Sequence, residues 1–349
     1  MEFSIQLSAD YPDKSYGGDR VYRDMLEQAV LADRLGYDAV NLTEHHLINV
    51  LMMPAPLQMA VKVASMTNRV KILTSVVVLP LHDMRVFAGE VVTADILTDG
   101  RLYLGVGRGA FAFEMERFDV PMDETRARFD ESLDVLQALL AREEVSWNGE
   151  FYRFEPLTIM PRPIGGGPDL MMAVMNPEGI YRSTTRGFHI QTTPLAGDHQ
   201  LLVDQVGAFR RGVDELGEDG RHLTLSLSRV AFLAADERDR VAKTESAHAY
   251  YGRFDNLFTG PGIVDAGMVR PLPRSQTIDE LAKSLLICTR SEMVDKLGPY
   301  ADLGIDRVML NVNFGIEQAE TLDMISRFAS EVMPHFSEQT PSDALSSID

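Results

Sequence analysis

Three ionisable side chains stand side by side at Glu44-His45-His46, directly behind Asn41-Leu42-Thr43. Imidazole titrates near neutrality without help, and a carboxylate beside it can orient or charge it, so this triplet could move a proton to or from a reacting atom. The run Tyr37-Asp38-Ala39-Val40-Asn41 in front of it alternates and follows Gly36, which reads as a strand entered from a helix C-cap. Neighbouring side chains on a strand point to opposite faces, so at most one of the two histidines can face a central cavity. Two readings follow. In one, the imidazoles are hydrogen-bonded core or subunit-contact groups with Glu44 as their partner; in the other, one of them is an acid/base. The triplet taken alone favours the first reading, and the company it keeps reverses that.

Arg108 stands between Gly107 and Gly109, where backbone can approach a ligand closely while a guanidinium grips phosphate or carboxylate. Asn176-Pro177-Glu178-Gly179 reads as an N-cap followed by proline at the first helical position, leaving the amides of Glu178 and Gly179 for an anion, although the Glu178 carboxylate opposes one. Metal and nucleophile chemistry find little support. Glu44-His45-His46 lacks the helical spacing that puts two imidazoles on one face, no third ligand is evident, and there is neither a GxSxG elbow nor a P-loop. The triple glycine at 165–167 precedes a strand rather than a helix and reads as a surface turn, and Tyr250, Tyr251 and Phe254 at helical spacing read as packing.

These residues need a frame. Phe3, Ile5 and Leu7 alternate as a first strand; the strand before the triplet is the second; Val70 to Val78 is a nearly continuous apolar third; Arg101 to Gly107 is the fourth. Helical patterns separate them: Asp19 to Leu35, Pro54 to Met66 and Met84 to Leu97. Near-continuous apolar strands alternating with helices, with no hairpin between, are the mark of parallel βα units. A helix from Asp123 to Ala141 and a small hairpin from Val145 to Phe154 follow. Strands at Leu170 to Val174, Phe188 to Ile190, Leu223 to Ala234 and Asp306 to Asn311 then bring the number to eight, with helices from His199 to Leu216, Ser291 to Leu303 and Glu317 to Met333. The expected fold is a (β/α)₈ barrel in a single domain over 1–335, with an insertion at 236–290 after strand seven and a serine-rich tail over 336–349. A segment that long is usually functional or mobile, and residues from about Thr259 to Ile278 read as an active-site lid. In such barrels chemistry lies at the C-terminal ends of the strands, which selects Glu44, His45, His46, Ser75, Val76, Gly107, Arg108 and the Met175-Asn176-Pro177-Glu178-Gly179 turn.

Composition narrows the partners. A net charge of −19 argues against nucleic acid and anionic membranes, which need basic surface. The lone Cys288 leaves no intrachain disulfide, and the start Met1-Glu2-Phe3-Ser4-Ile5-Gln6 has neither a basic segment nor a long apolar run, so a cytoplasmic protein without a signal peptide or membrane span is expected.

Taken together, Gly36-Tyr37-Asp38-Ala39-Val40 leading to Glu44-His45-His46, Val76-Val77-Val78-Leu79-Pro80, Asp99-Gly100-Arg101-Leu102 leading to Gly105-Val106-Gly107-Arg108-Gly109, and Asp306-Arg307-Val308 resemble the bacterial luciferase-like flavin-dependent monooxygenases, in particular the luciferase alpha-subunit branch. The resemblance runs through nearly the whole chain. It implies reduced FMN supplied by a separate flavin reductase, or in some branches the deazaflavin F420; a C4a-(hydro)peroxyflavin that oxygenates a carbonyl-type small molecule with O₂; and a homodimer through helices two and three. It assigns Arg108, the Asn176 to Gly179 turn and Arg126 to the flavin phosphate, and His45 to acid/base work. Ser75 and Val76 match the place of a non-prolyl cis peptide behind the flavin ring. The chain departs from luciferase alpha subunits, which carry cysteine where Gly107 stands and hydroxyl residues where Asn176 and Gly179 stand, so neither aldehyde luminescence nor the details of the phosphate grip are implied. Hydride transfer with F420 and a silent flavin-binding partner subunit are the competing readings.

Overall fold

The computed structural model describes residues 1–337 apart from 9, 12, 194–198 and 259. Eight parallel strands, β1 (Glu2–Gln6), β2 (Ala39–Leu42), β3 (Lys71–Thr74), β4 (Leu102–Gly107), β5 (Asp169–Ala173), β6 (His189–Thr192), β7 (Leu225–Leu233) and β8 (Arg307–Asn311), pair in that order, and the pairing of β8 with β1 closes the barrel. The expected (β/α)₈ barrel is therefore present.

Alternation divides each strand between two environments. On β1, Phe3 and Ile5 point outward, and the Phe3 ring meets Phe328 at 5.1 Å edge to face. Ser4 and Gln6 point inward. Ala39, Leu73 and Met171, with Tyr103 against them, form a small apolar cluster inside the barrel, which fixes the inward set on β2 to β5. The outer layer consists of α1 (Gly18–Leu35), α2 (Pro56–Ala64), α3 (Met84–Leu97), α4 (Ala112–Arg117), α5 (Thr125–Ala141), α6 (Pro177–Thr185) and α7 (His199–Leu216), then α8 (Glu237–Phe258), α9 (Ile278–Ser284), α10 (Arg290–Asp302) and α11 (Gln318–Glu331). No helix among the described residues is long and apolar enough to cross a membrane.

Two departures from the sequence reading bear on the site. The third strand is not continuous to Val78: β3 stops at Thr74, the Ser75-Val76 peptide is cis, and Val77–Val78 resumes pairing against Val106 and Gly107 of β4. An apolar run gives no signal of such a break. The insertion is also more regular than expected. It comprises α8, an antiparallel pair of Val264–Asp265 with Met268–Val269, α9, and a strand Leu286–Cys288 that runs parallel to β7.

The insertion is fastened across the strand ends. Tyr250 of α8 receives a hydrogen bond from Asn311 at 3.2 Å, and Arg253 pairs with buried Asp10 at 2.8 Å. The Val269 amide donates to Asn49 at 2.8 Å. Thr259, where the lid reading begins, lies outside the described residues. So do tail residues 338–349, whereas Met333–His335 form a 3₁₀ turn and Phe336 meets Phe3 at 5.8 Å.

Candidate active site

His45 and His46 diverge, as adjacent residues leaving a strand must. The Nδ1 of His45 lies 3.0 Å from Oε2 of Glu114, and its ring stacks on Phe111 with centroids 4.5 Å apart and planes at 20°. Glu114 is buried on α4, and its second oxygen accepts the His46 backbone amide. A carboxylate only accepts, so Nδ1 of His45 carries the hydrogen and Nε2 is left as the nitrogen able to take up or release a proton. Nε2 has no partner among the described residues.

His46 turns the other way. Its Nε2 donates to Glu44 Oε1 at 2.8 Å, and the same oxygen accepts His82 Nε2 at 2.8 Å. The Val78 amide donates to the second oxygen at 2.7 Å. Burial acts to raise the Glu44 carboxyl, but the hydrogen bonds from both imidazoles, the His82 charge and the Val78 amide outweigh it and hold the group down at about 2. The hydrogen bond to Glu44 in turn raises His46, against its own burial. The first reading of the triplet holds for His46, which has Glu44 as its partner, whereas His45 is held by Glu114 instead.

The fourth strand arrives at the same rim. Val78, which donates to Glu44, pairs with Gly107, and the chain from Arg108 reaches Phe111 against His45 within three residues. Arg108 is exposed and has no ion pair or hydrogen bond among the described residues. Close approach explains its glycines. A Cβ at Gly105 would fall 1.9 Å from the Thr74 carbonyl oxygen, and one at Gly107 would fall 2.6 Å from a Val76 methyl.

Opposite the cis turn, the mouth is open. Ala173 ends β5 on its inward face, yet it is exposed, and Gln191 beside it in register on β6 is half-buried. Ser75 donates to Gln191 Oε1 at 2.8 Å across the barrel, because two strands separate β3 from β6 along the sheet. Exposed Ala173 and half-buried Gln191 thus stand at the C-terminal ends of β5 and β6, as the cis turn does after β3 and exposed Arg108 does after β4.

The remaining predicted residues fare unevenly. Met175 is exposed after β5 and its carbonyl accepts from Gln205 at 2.7 Å. Asn176 caps α6 as expected, but its Oδ1 takes the Glu178 and Gly179 amides at 2.9 and 3.2 Å, so those donors are engaged rather than free. Glu178 is paired with Arg182. Arg126 is exposed on the first turn of α5, 4.0 Å from Asp130, its one ion pair among the described residues. Sequence reasoning missed Glu114, Phe111, His82 and Gln191. Glu114 sits in a six-residue helix too short to show a period, whereas His82 and Gln191 follow or end strands, where a wider look at strand ends would have found them. Among the described residues, no three His, Cys, Asp or Glu side chains are grouped to hold a metal ion.

Residues 1–307 match the family model described as luciferase-like monooxygenase. The chain belongs to that family. It is 27% identical over 348 residues to the flavin-dependent trigonelline monooxygenase, oxygenase component, of Acinetobacter baylyi (strain ATCC 33305 / BD413 / ADP1), covering 97% of this chain and 96% of that one. Among solved structures, monooxygenase RslO1 from Streptomyces bottropensis superposes with a TM-score of 0.83 at 23% identity, over 97% of this chain and 100% of that one. An F420-dependent secondary alcohol dehydrogenase in complex with an F420-acetone adduct superposes with a TM-score of 0.78 at 18% identity, covering 97% and 99%. This luciferase-like chain therefore has named relatives that are flavin-dependent monooxygenases, and F420-dependent oxidoreductases share its fold.

Proposed function

We propose that this luciferase-like protein is the oxygenase component of a two-component flavin-dependent monooxygenase, taking reduced FMN from a separate flavin reductase and using O₂ to oxygenate a small carbonyl-type molecule. The observation that carries the reading is the set of groups at the C-terminal ends of the strands, where His45 also stands: an exposed inward Ala173 after β5, the cis Ser75-Val76 turn after β3, and Arg108 without a partner among the described residues after β4. These residues fit a flat, phosphorylated cofactor, because the small side chain of Ala173 is exposed at its strand end and Arg108 is unspent for a phosphate.

When bound, the reduced flavin supplies the electrons and the centre at which O₂ is activated. The chain's own groups do the rest. Arg108, with the positive end of α6 and Arg126 as further candidates, holds the phosphate; an anion at α6 has to compete with the Asn176 cap. His45 holds a proton at Nε2 while Glu114 and Phe111 fix its ring. Phe254 and Phe258 of α8 close on Phe111, with centroids 6.1 and 4.9 Å away, and keep water from that side. The apolar side chains left exposed on and beside α2 and α3, Met66, Val86 and Leu97, suit a homodimer in the cytoplasm, which light scattering checks.

The decisive experiment mixes the protein with photoreduced FMN without oxygen, then with O₂ in a stopped-flow instrument, with reduced F420 and with oxidised F420 plus an alcohol as parallel arms. The proposal expects saturable binding of reduced FMN and a changed course of its reoxidation. Turnover with F420 alone would move the protein to hydride transfer. Binding of flavin with no change in its oxidation would make the chain a silent partner subunit.

A further inference from the structure

Gln191 is placed where a cofactor ring would be read and is used by none of the roles above. Its Oε1 accepts the Ser75 hydroxyl at 2.8 Å from the far side of the barrel, immediately before the cis peptide. In this arrangement the amide oxygen faces Ser75 and the Nε2 group faces away from it. With the oxygen committed, the Nε2 group with its two N–H donors has no partner among the described residues. Its in-register neighbours are small, Ala173 on β5 and Ser226 on β7, and Ala173 is exposed. A half-buried amide with two unspent donors beside an open floor is paid for by a ligand acceptor or by water.

We propose that Gln191 donates from Nε2 to the carbonyl and imide edge of the flavin ring, and so contributes both to cofactor affinity and to the preference for the reduced, more electron-rich ring. The inference rests on the flavin reading above and names a residue for it. The chemistry is electrostatic. Two-electron reduction places negative charge on the pyrimidine end of the ring, and a donor oriented beforehand by Ser75 stabilises that charge without reorganising.

A purely structural role for Gln191 makes a different prediction, because it needs the acceptor oxygen alone. Gln191→Glu keeps that oxygen for Ser75 and the side-chain length but exchanges both N–H donors for a negative charge, so the neutral Gln191→Met, which removes the donors without adding charge, is measured beside it. The expected result is an FMN Kd, read by quenching of flavin fluorescence, about tenfold above that of the unaltered protein. The bound flavin should also become harder to reduce by a further factor of about ten, ~30 mV for two electrons, in a spectroelectrochemical titration. Gln191→Met should show the same tenfold loss of affinity, and should Gln191→Glu fail to fold by circular dichroism it carries the test alone. An FMN Kd and a midpoint potential both unchanged within twofold in the folded variant would overturn the assignment. Failure of the unaltered protein to bind FMN would instead overturn the flavin reading, and the assignment with it.

Discussion

His45 Nδ1 and Glu114 Oε2 lie 3.0 Å apart although 69 residues separate them, and the other Glu114 oxygen holds the His46 amide. One buried carboxylate therefore sets both the tautomer of the imidazole and the path of the backbone that carries it. Glu114→Gln keeps the size but replaces one acceptor with a donor, so either one of the two contacts fails or His45 must switch to the tautomer with its hydrogen on Nε2. We expect kcat to fall about a hundredfold while FMN affinity holds within threefold, and His45→Ala to fall at least as far. Equal losses in turnover and in flavin binding for both variants would show that the pair shapes the pocket rather than handling a proton.

Glu44 serves stability. Its folded carboxyl lies at about 2, below the ordinary 4.5, so its contribution is complete above pH 4.5 and is lost as pH falls through 2. His46 is raised above its ordinary 6.5, so its contribution is complete below 6.5 and is lost as pH rises through the raised value. Glu44→Gln removes both at once. Urea unfolding should show the variant less stable by about 3 kcal/mol near pH 5 to 6, with the gap narrowing toward acid and toward alkali. A gap that does not vary with pH would mean the network carries no charge.

Gly107 and Val76 are coupled by contact, since a Cβ on the first would lie 2.6 Å from a methyl of the second. Gly107→Ala should cost about 1–3 kcal/mol, and adding Val76→Ala should recover at least about 1 kcal/mol of it. Additive losses in this double-mutant cycle would place the strain elsewhere. The same crowding accounts for glycine where luciferase alpha subunits carry cysteine, because the valine methyl fills the room a thiol side chain would use.

The phosphate assignment separates two groups. Arg108→Ala should weaken FMN about tenfold and leave riboflavin binding unchanged, since riboflavin lacks the phosphate. Asn176→Ala loses the cap, worth about 1 kcal/mol in thermal unfolding, but frees two amides, so FMN affinity should hold within threefold. A tenfold loss there would mean that the Asn176 side chain itself grips the ligand.

The barrel was legible because its signals are periodic: Phe3, Ile5 and Leu7 alternate, and each later strand is an apolar run between helical patterns. The strand-end filter selected Glu44, His45 and His46 together, and only the resemblance pointed to His45 among them. What stayed hidden is non-local. Glu114 reaches His45 from a six-residue helix, Gln191 meets Ser75 across the interior, and both contacts exist only once the sheet has closed. The cis turn after Thr74 left no trace in an unbroken run of valines, and the resemblance rather than the periodicity pointed to it. The cap at Asn176 was read correctly, yet its consequence was inverted, because the side chain that marks the helix start also consumes the donors it appeared to offer.

Phe254 and Phe258 bear on the ring that stacks against His45, and both belong to the insertion rather than to the barrel. Grafting residues 236–290 from a relative would for that reason change how firmly the His45 ring is gripped, from outside the barrel that carries it. An exchange of this segment alone would retune the packing behind that imidazole while the eight strands beneath stay as they are.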